Sequence, residues 1–348
     1  MDEICFDTIL LKEAKNFDSY YKKHIIMYET ISFLQEYDNL IFEKDFPSLF
    51  RYHMKKNRNE LLVRINTYYK NVEKKLSKEH LLQQILDPMS EKNKDSWLKL
   101  NCFSILIVFD LLVQRINDDI TKTCEKDLFK NEFISTNTRH LRKLIIDAKE
   151  FLMCLEKING DNPKEIVGIN RDVKGFDLNL FSNLLFNGIV DTSNFAFFLN
   201  LAFLLRDSLE LRVCKALGVI DIRKTDGKPA KIASGDFIDF LFENTNIVTP
   251  KLNKSLIKKI HQWCNYHIHK GTVLYEWQLV LCYEYVRPFF QCGETAYQSS
   301  IYGSIQMSET YYKTKLCDDL KQFLVNKNPD NERIEIFLAD KPEALLVK

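Results

Sequence analysis

Apolar side chains recur at three- and four-residue steps along most of this chain, which is the spacing of one helix face. From Trp97 to Phe109 the pattern is apolar nearly all round, which is typical of a helix in the centre of a bundle. Two exceptions are short. Residues 219–234 predict a loop with at most short strands, and Ile334 to Leu338 is a candidate strand. We therefore predict an all-α protein, a multi-helix bundle with at most a minor hairpin or strand.

One segment interrupts the helical pattern. The run from Asn159 to Asp177 combines three glycines and one proline with several Asn and Asp residues. Such a composition is typical of loops and junctions. We predict an N-terminal helical domain over residues 1–158, a junction over 159–175 and a C-terminal helical domain over 176–348, in which a long helix runs from Asn194 to Leu217.

Composition agrees with helices and sets few limits on function. The chain has 348 residues, enough for two domains, and only 10 Gly and 8 Pro, too few for a turn-rich β architecture. Its formal net charge of +1 gives no overall attraction to nucleic acid or to an anionic membrane. Nine cysteines without a CxxC pair indicate reduced, core-filling thiols of a cytosolic protein. The apolar runs are short or broken by polar residues, so we predict a cytoplasmic protein without a membrane partner.

Unusual side chains concentrate between Lys254 and Phe290. This stretch holds three of the seven histidines and two of the three tryptophans, with Gly271 between two helical patterns. Glycine after a last helical turn is a common stop signal, and proline disfavours continuation of a helix. We predict a helix, a tight corner at Gly271 and a second helix that ends at Pro288.

The histidines of this stretch fall on two faces of the first helix. His267 lies among apolar positions, so it is either a core histidine or a general acid or base at the helix end. His261, Asn265 and His269 form a second stripe at i, i+4 and i+8, and we expect His269 to be exposed. His261, Cys264 and His267 could instead present metal ligands, but their spacing matches no zinc signature and a fourth ligand would be needed. We predict no metal and no cofactor.

Two arginines on the long helix from Asn194 to Leu217 are further candidates. Arg212 falls on the apolar face of that helix, and a buried guanidinium needs a partner or a ligand because it keeps its proton. Arg206 and Glu210 stand four residues apart on the flank, the spacing of an intrahelical ion pair.

The segments LRDSLELRVCKALG and WCNYHIHKG together resemble the HEPN superfamily of helical bundles. In that family one long helix supplies acidic and basic residues, and a second carries an arginine followed four to six residues later by a histidine. Many members are metal-independent ribonucleases of toxin and phage-defence systems, and they are usually dimeric. The chain departs from this pattern, since no arginine stands at that spacing before His267 or His269. The resemblance then implies either that the motif is degenerate or that Arg206 or Arg212 supplies the cation from the neighbouring helix.

Two functions follow as expectations. In the first, the protein binds or cleaves RNA without metal, as a homodimer, with His267 or His269 transferring protons, Arg206 or Arg212 stabilising charge, and Asn265 in the same site. In the second, it is a non-catalytic helical protein that binds a partner protein. The sequence contains no P-loop, no dinucleotide-binding glycine motif, no HExxH and no GxSxG, which disfavours nucleotide-driven and common hydrolase chemistry.

Overall fold

The computed structural model describes residues 26–27, 29–34, 45–70, 76–122, 128–159, 195–227, 230, 232–270, 272, 274–290 and 304–347. These residues are mostly helical, with a few short strands, so the all-α prediction is confirmed. Contacts divide the chain into two compact units. The N-terminal unit comprises Met1–Leu76, Met89–Arg171 and Tyr275–Trp277, and the C-terminal unit comprises Ser77–Pro88, Asp172–Leu274 and Gln278–Lys348. The predicted junction, 159–175, lies outside the described residues except for Asn159.

Three long helices make up most of the described part of the N-terminal unit, beside the helical residues 26–27 and 29–34: α1 (Phe46–Tyr68), α3 (Lys94–Lys122) and α4 (Leu128–Ile158). Helix α3 packs between the other two, as its nearly uniform apolar surface predicts. Within the described residues α3 is the one helix long and apolar enough to cross a membrane, but 67% of its most apolar window is buried in the structure. Burial in the bundle therefore accounts for its composition.

The short segment Tyr275–Trp277 completes the core of this unit. The indole of Trp277 is fully buried, and its Nε1 donates a hydrogen bond to Asn101 Oδ1 at 2.8 Å. The ring of Tyr275 stacks on that of Trp277 at 4.4 Å, and Phe151 meets both rings edge-on. The tryptophan thus combines a large apolar burial with a satisfied polar group, as a buried indole requires.

The C-terminal unit is also helical. Its elements in chain order are α2 (Lys78–Ile85), α5 (Phe195–Ala216), β1 (Val219–Lys224), α6 (Ser234–Glu243), β2 (Ile247–Val248), α7 (Lys254–Lys270), most of α8 (Glu276–Phe290), β3 (Gln306–Ser308), α9 (Glu309–Thr314), α10 (Leu316–Lys327), a 3₁₀ turn (Pro329–Asn331), β4 (Ile334–Leu338) and β5 (Leu345–Val347). Helix α5 packs against both α6 and α7. The two helices predicted on either side of Gly271 are α7 and α8, and the predicted corner at Gly271 lies outside the described residues.

Residues 219–224 form strand β1, one of the short strands that the prediction for this segment allowed. The strand forms because β4 pairs with it antiparallel from far along the chain, with Ile222 opposite Ile336. One correction concerns Pro288. Pro288 lies inside α8, which ends at Phe290. A proline in the last turn removes one helical hydrogen bond, so the helix can still close over the next residues. The candidate strand Ile334 to Leu338 is confirmed, and the other small sheet orders its strands β2-β3-β5.

Candidate functional site

The structure brings Arg206 onto the polar stripe of α7. Its Nη1 donates a hydrogen bond to Asn265 Oδ1 at 2.9 Å, which joins α5 to α7. Its Nη2 lies 3.0 Å from Asp207 Oδ1, and its Nε lies 3.4 Å from Glu210 Oε1. The Arg206 side chain is 22% exposed. The cation expected from the neighbouring helix therefore sits beside the middle residue of the stripe His261, Asn265 and His269.

Glu210 links this arginine to a histidine. Glu210 Oε1 lies 2.7 Å from His261 Nε2 and accepts a hydrogen bond from Ser234 Oγ at 3.0 Å. His261 is only 6% exposed, whereas the Glu210 side chain is 28% exposed. Three helices thus meet at one carboxylate. We call this set of side chains the Arg206 cluster: Arg206, Asp207, Glu210, Ser234, His261 and Asn265.

The cluster contains a serine, a histidine and a carboxylate, yet it is not a nucleophilic triad. Ser234 Oγ lies 3.2 Å from His261 Nε2, the same nitrogen that contacts Glu210. A relay requires the acid on one ring nitrogen and the hydroxyl on the other. Ser234 donates its proton to Glu210, so it acts as a hydrogen-bond donor that helps to fix the carboxylate.

His267 lies on the other face of α7 and is half-buried. Its ring packs edge-on against Trp263 and Tyr266, with centroids 4.9 and 5.4 Å away. Its Nδ1 contacts Oγ1 of Thr272, two residues beyond the end of α7. Burial lowers the pKa of His267 to about 4, so its imidazole is neutral at pH 7. In the described part of the chain, its polar contact is therefore with a threonine rather than an arginine.

His269 is exposed near the end of α7, as predicted, one turn beyond Asn265. Residues four apart on a helix face lie about one turn from each other. His269 and His261 therefore flank the partner of Arg206 on either side, the first open to solvent and the second closed. The accessible imidazole of the stripe is that of His269.

Arg212 has a different environment. Its Nε donates to Phe289 O at 3.1 Å, its Nη1 to Glu343 O at 3.2 Å and its Nη2 to Ser304 Oγ at 2.7 Å. Arg212 is 3% exposed, and the carboxylate of Glu343 lies 3.7 Å from Nη1. Burial lowers the pKa of Arg212, and Glu343 offsets part of this effect. The guanidinium binds α8 and the C-terminal segment to α5. Its donors are therefore used for structural contacts.

The alternative of a metal site on α7 gains no support from the described residues. No three His, Cys, Asp or Glu side chains among them are placed to hold a metal ion. His261 is bound to Glu210, and burial raises the pKa of the Cys264 thiol to about 12. A protonated, buried thiol is a poor metal ligand.

Four members of the cluster were not among the predicted catalytic residues: Asp207, Glu210, Ser234 and His261. The i, i+4 spacing of Arg206 with Glu210, and of His261 with Asn265, was a usable signal for two polar stripes. That the stripes face each other depends on how α5 packs on α7. Ser234 carried no signal, because its contact depends on the position of α6.

Comparisons with protein-family models, curated proteins and solved structures gave no significant match. Function is therefore argued from the geometry of the Arg206 cluster.

Proposed function

We propose that the C-terminal unit binds RNA and cleaves it without a metal ion, with Arg206 and His269 as the reacting groups. The observation that supports this most is the hydrogen bond from Arg206 to Asn265, between the two histidines of the stripe. Arg206 thereby supplies, from α5, the cation that α7 lacks, because no arginine precedes His267 or His269 on α7 at the spacing of the HEPN family. A cytoplasmic location, predicted from the sequence, suits such an activity.

RNA cleavage of this kind needs a base for the 2′-hydroxyl proton and a cation for the charge on the phosphorane. The 2′-oxygen attacks the adjacent phosphorus and its proton passes to His269. The 5′-oxygen leaves with a proton from water, and the imidazolium returns its proton to the hydroxide that is formed. The products are a 2′,3′-cyclic phosphate and a 5′-hydroxyl. Arg206 stabilises the phosphorane, and Asn265 orients Arg206. Glu210 and His261 form the closed side of the site.

The carboxylates of Asp207 and Glu210 already lie beside Arg206, so phosphate must compete with them. We expect weak binding that depends on salt. Loss of a single phosphate contact lowers the slope of log affinity against log salt by about 0.7 for a single strand. Arg206→Ala should reduce the slope by about this amount.

The test is cleavage of a labelled single-stranded RNA by wild-type protein, Arg206→Ala and His269→Ala, with chelator present throughout. We expect both substitutions to lower the rate by roughly a hundredfold, the lower range for loss of an acid–base group. His80→Ala is the matched control, because His80 is an exposed histidine on α2. Equal rates for wild type and His269→Ala would remove His269 from the mechanism.

A second candidate, a non-catalytic protein that binds another protein, is favoured by a different observation. Phe203, Leu204 and Leu211 on α5 are 43%, 50% and 59% exposed, and Phe203 lies next to the Arg206 guanidinium. Exposed apolar groups of this kind mark interaction surfaces. Light scattering on wild type and Leu204→Asp would detect self-association through this face. A protein that neither cleaves nor binds RNA, but loses a protein partner on this substitution, would support the second candidate.

A further inference from the structure

A surface cavity of about 390 Å³, wide open to solvent, lies between α10 and the C-terminal end of α6. One face of α10 lines it with Asp319, Gln322, Phe323 and Asn326, which recur at helical spacing. Phe240, Glu243 and residues 244–246 line the opposite side. The volume lies within the range of small-ligand sites. This cavity is separate from the Arg206 cluster and shares no residue with it.

Amide side chains dominate its polar lining. Asn244 and Asn246 lie on the α6 side, and Gln322 and Asn326 on the α10 side. An amide presents one acceptor oxygen beside two donor hydrogens, the pattern with which Asn and Gln bind the edge of a nucleobase. The lining residues include two carboxylates and no cation, so an anionic group would not lie inside the cavity.

The apolar part of the lining is aromatic. Phe323 is partly accessible and meets the buried ring of Phe240 edge-on, with centroids 5.4 Å apart. Unstacked bases of RNA bind proteins by stacking on such rings and by hydrogen bonds along their edges. An aromatic ring next to four amides therefore matches a flat heterocycle with donors and acceptors on its rim.

Asp319 is held in place by buried groups. Tyr311 Oη donates to Asp319 Oδ2 at 2.9 Å and accepts a hydrogen bond from Asn244 Nδ2 at 2.5 Å. Burial raises the pKa of Tyr311 to about 12, so the phenol keeps the proton that it donates. A fixed carboxylate in a nucleotide site commonly accepts hydrogen bonds from ribose hydroxyls.

Positive charge lies at the edge of the cavity. The ammonium groups of Lys258 and Lys327 lie 2.8 and 3.2 Å from Asp239 Oδ2, and that of Lys254 lies 3.4 Å from Oδ1. Lys254 also contacts Glu243, at 2.5 Å. Three ammonium groups thus lie among carboxylates at this edge. A phosphate can bind them there by replacing a carboxylate partner.

Two contacts place Lys254 and Lys327 beside the cavity. Glu243, the partner of Lys254, belongs to its lining, and the ammonium group of Lys327 lies 5.3 Å from the centroid of Phe323. Amide side chains, an aromatic ring, a carboxylate and lysines therefore border the same cavity. A nucleotide presents a matching set of groups, namely a base, a sugar and a phosphate.

We propose that this cavity binds one ribonucleotide, with the base among the amides and against Phe323, the ribose at Asp319, and the phosphate at Lys254 and Lys327. The inference deepens the RNA function proposed above and rests on it. The same chemistry is offered by an unstacked nucleotide within an RNA strand and by a free nucleoside monophosphate.

The test is titration calorimetry with the four ribonucleoside 5′-monophosphates and with a short single-stranded RNA. The probe variant is Gln322→Ala combined with Asn326→Ala, because both side chains are exposed and the fold should survive their loss. Gln114→Ala, an exposed amide on α3, is the control. We expect at least one monophosphate to bind saturably, the double variant to bind it at least tenfold more weakly, and the control to match wild type.

The two sources of the ligand give different results. If the nucleotide belongs to RNA, the oligonucleotide binds at least tenfold more tightly than any monophosphate, and the double variant weakens both. Equal affinities for the two would identify a free nucleotide as the ligand. Absence of saturable binding to wild type, or equal binding by the double variant, would overturn the proposal.

This outcome is independent of cleavage. Cleavage that depends on Arg206, without monophosphate binding, would refute the ribonucleotide site and leave the proposed function standing. If wild type binds a monophosphate and the double variant does not, but wild type fails to cleave RNA, the proposed cleavage is refuted and the ribonucleotide site stands.

Discussion

Helix α5 carries two arginines six residues apart with opposite environments. Arg212 is 3% exposed and gives its donors to two backbone carbonyls and a serine hydroxyl. The Arg206 side chain is 22% exposed and lies among side chains of α5 and α7. The first is fixed by parts of the backbone that cannot move away without unfolding, whereas the second can exchange its partners for a ligand.

The difference shows that a cation on a helix face is not by itself a functional group. Backbone carbonyls that surround a guanidinium on several sides make it part of the core. Carboxylate and amide side chains at a partly open surface leave it available, because their contacts are weaker and screened by solvent. Substitution of Arg212 should therefore lower stability more than substitution of Arg206. Substitution of Arg206 should lower activity more than substitution of Arg212.

The largest effect is expected from Arg212→Met. It leaves several buried acceptors without their charged donor, and we expect a loss of about 3–5 kcal/mol in the free energy of unfolding. Arg206→Met, the matched change, should cost less than about 1 kcal/mol, as exposed ion pairs do. Urea denaturation followed by circular dichroism measures both. Similar losses at the two positions would mean that the environments do not differ as the structure shows.

Gly218→Ala tests the packing just beyond the C-terminal end of α5, the end that carries Arg212. Gly218 has φ +70°, and an added Cβ would lie 2.1 Å from Tyr312 Oη. That hydroxyl donates to Ala339 O at 2.5 Å, and Ala339 N donates to Gly218 O at 2.7 Å. We expect roughly 2–4 kcal/mol of destabilisation from the clash and the backbone strain. Thermal denaturation should show it, whereas Gly227→Ala, which meets no atom within 4 Å, should lose only the strain.

His267 should make stability depend on pH. Its folded-state pKa is about 4 and its unfolded value is near 6.5, so between these values the unfolded chain binds more protons. Stability should therefore fall as the pH decreases from above 6.5 towards 4 and should lose no more from this group below 4. The contribution is roughly 2–3 kcal/mol. Denaturation of His267→Gln at several pH values should lack this component, and His80→Gln should retain it.

A smaller effect than at Arg212, Gly218 or His267 is expected from Glu210→Gln on the Arg206 side. The amide keeps the shape of the carboxylate but removes a charge that lies near Arg206 and His261. We expect a stability loss of about 1 kcal/mol, since these contacts are partly exposed. RNA affinity should rise, because Arg206 loses a competitor for phosphate. A fall in RNA affinity, measured by fluorescence anisotropy, would contradict the role assigned to Arg206.

The sequence by itself determined the helices and the two stripes. The apolar spacing along α3 and α5 depends only on the geometry of a single helix, so it could be read without knowing any neighbour. For the same reason, the burial of Arg212 and the exposure of His269 were predictable from their positions on helix faces. The pairing of β1 with β4 was not, since strand partners far apart in sequence leave no local signal.

Only the tertiary structure decided which of these residues meet. Arg206 reaches Asn265 because α5 packs on α7 in one register, and Ser234 reaches Glu210 because α6 starts beside them. The cavity between α6 and α10 likewise joins segments that are separated by three described helices, α7, α8 and α9. Packing contacts of this kind depend on the shapes of two whole helix faces that meet. Periodicity in the sequence reports one helix face at a time. The sequence could therefore predict candidate residues but not the site that they form.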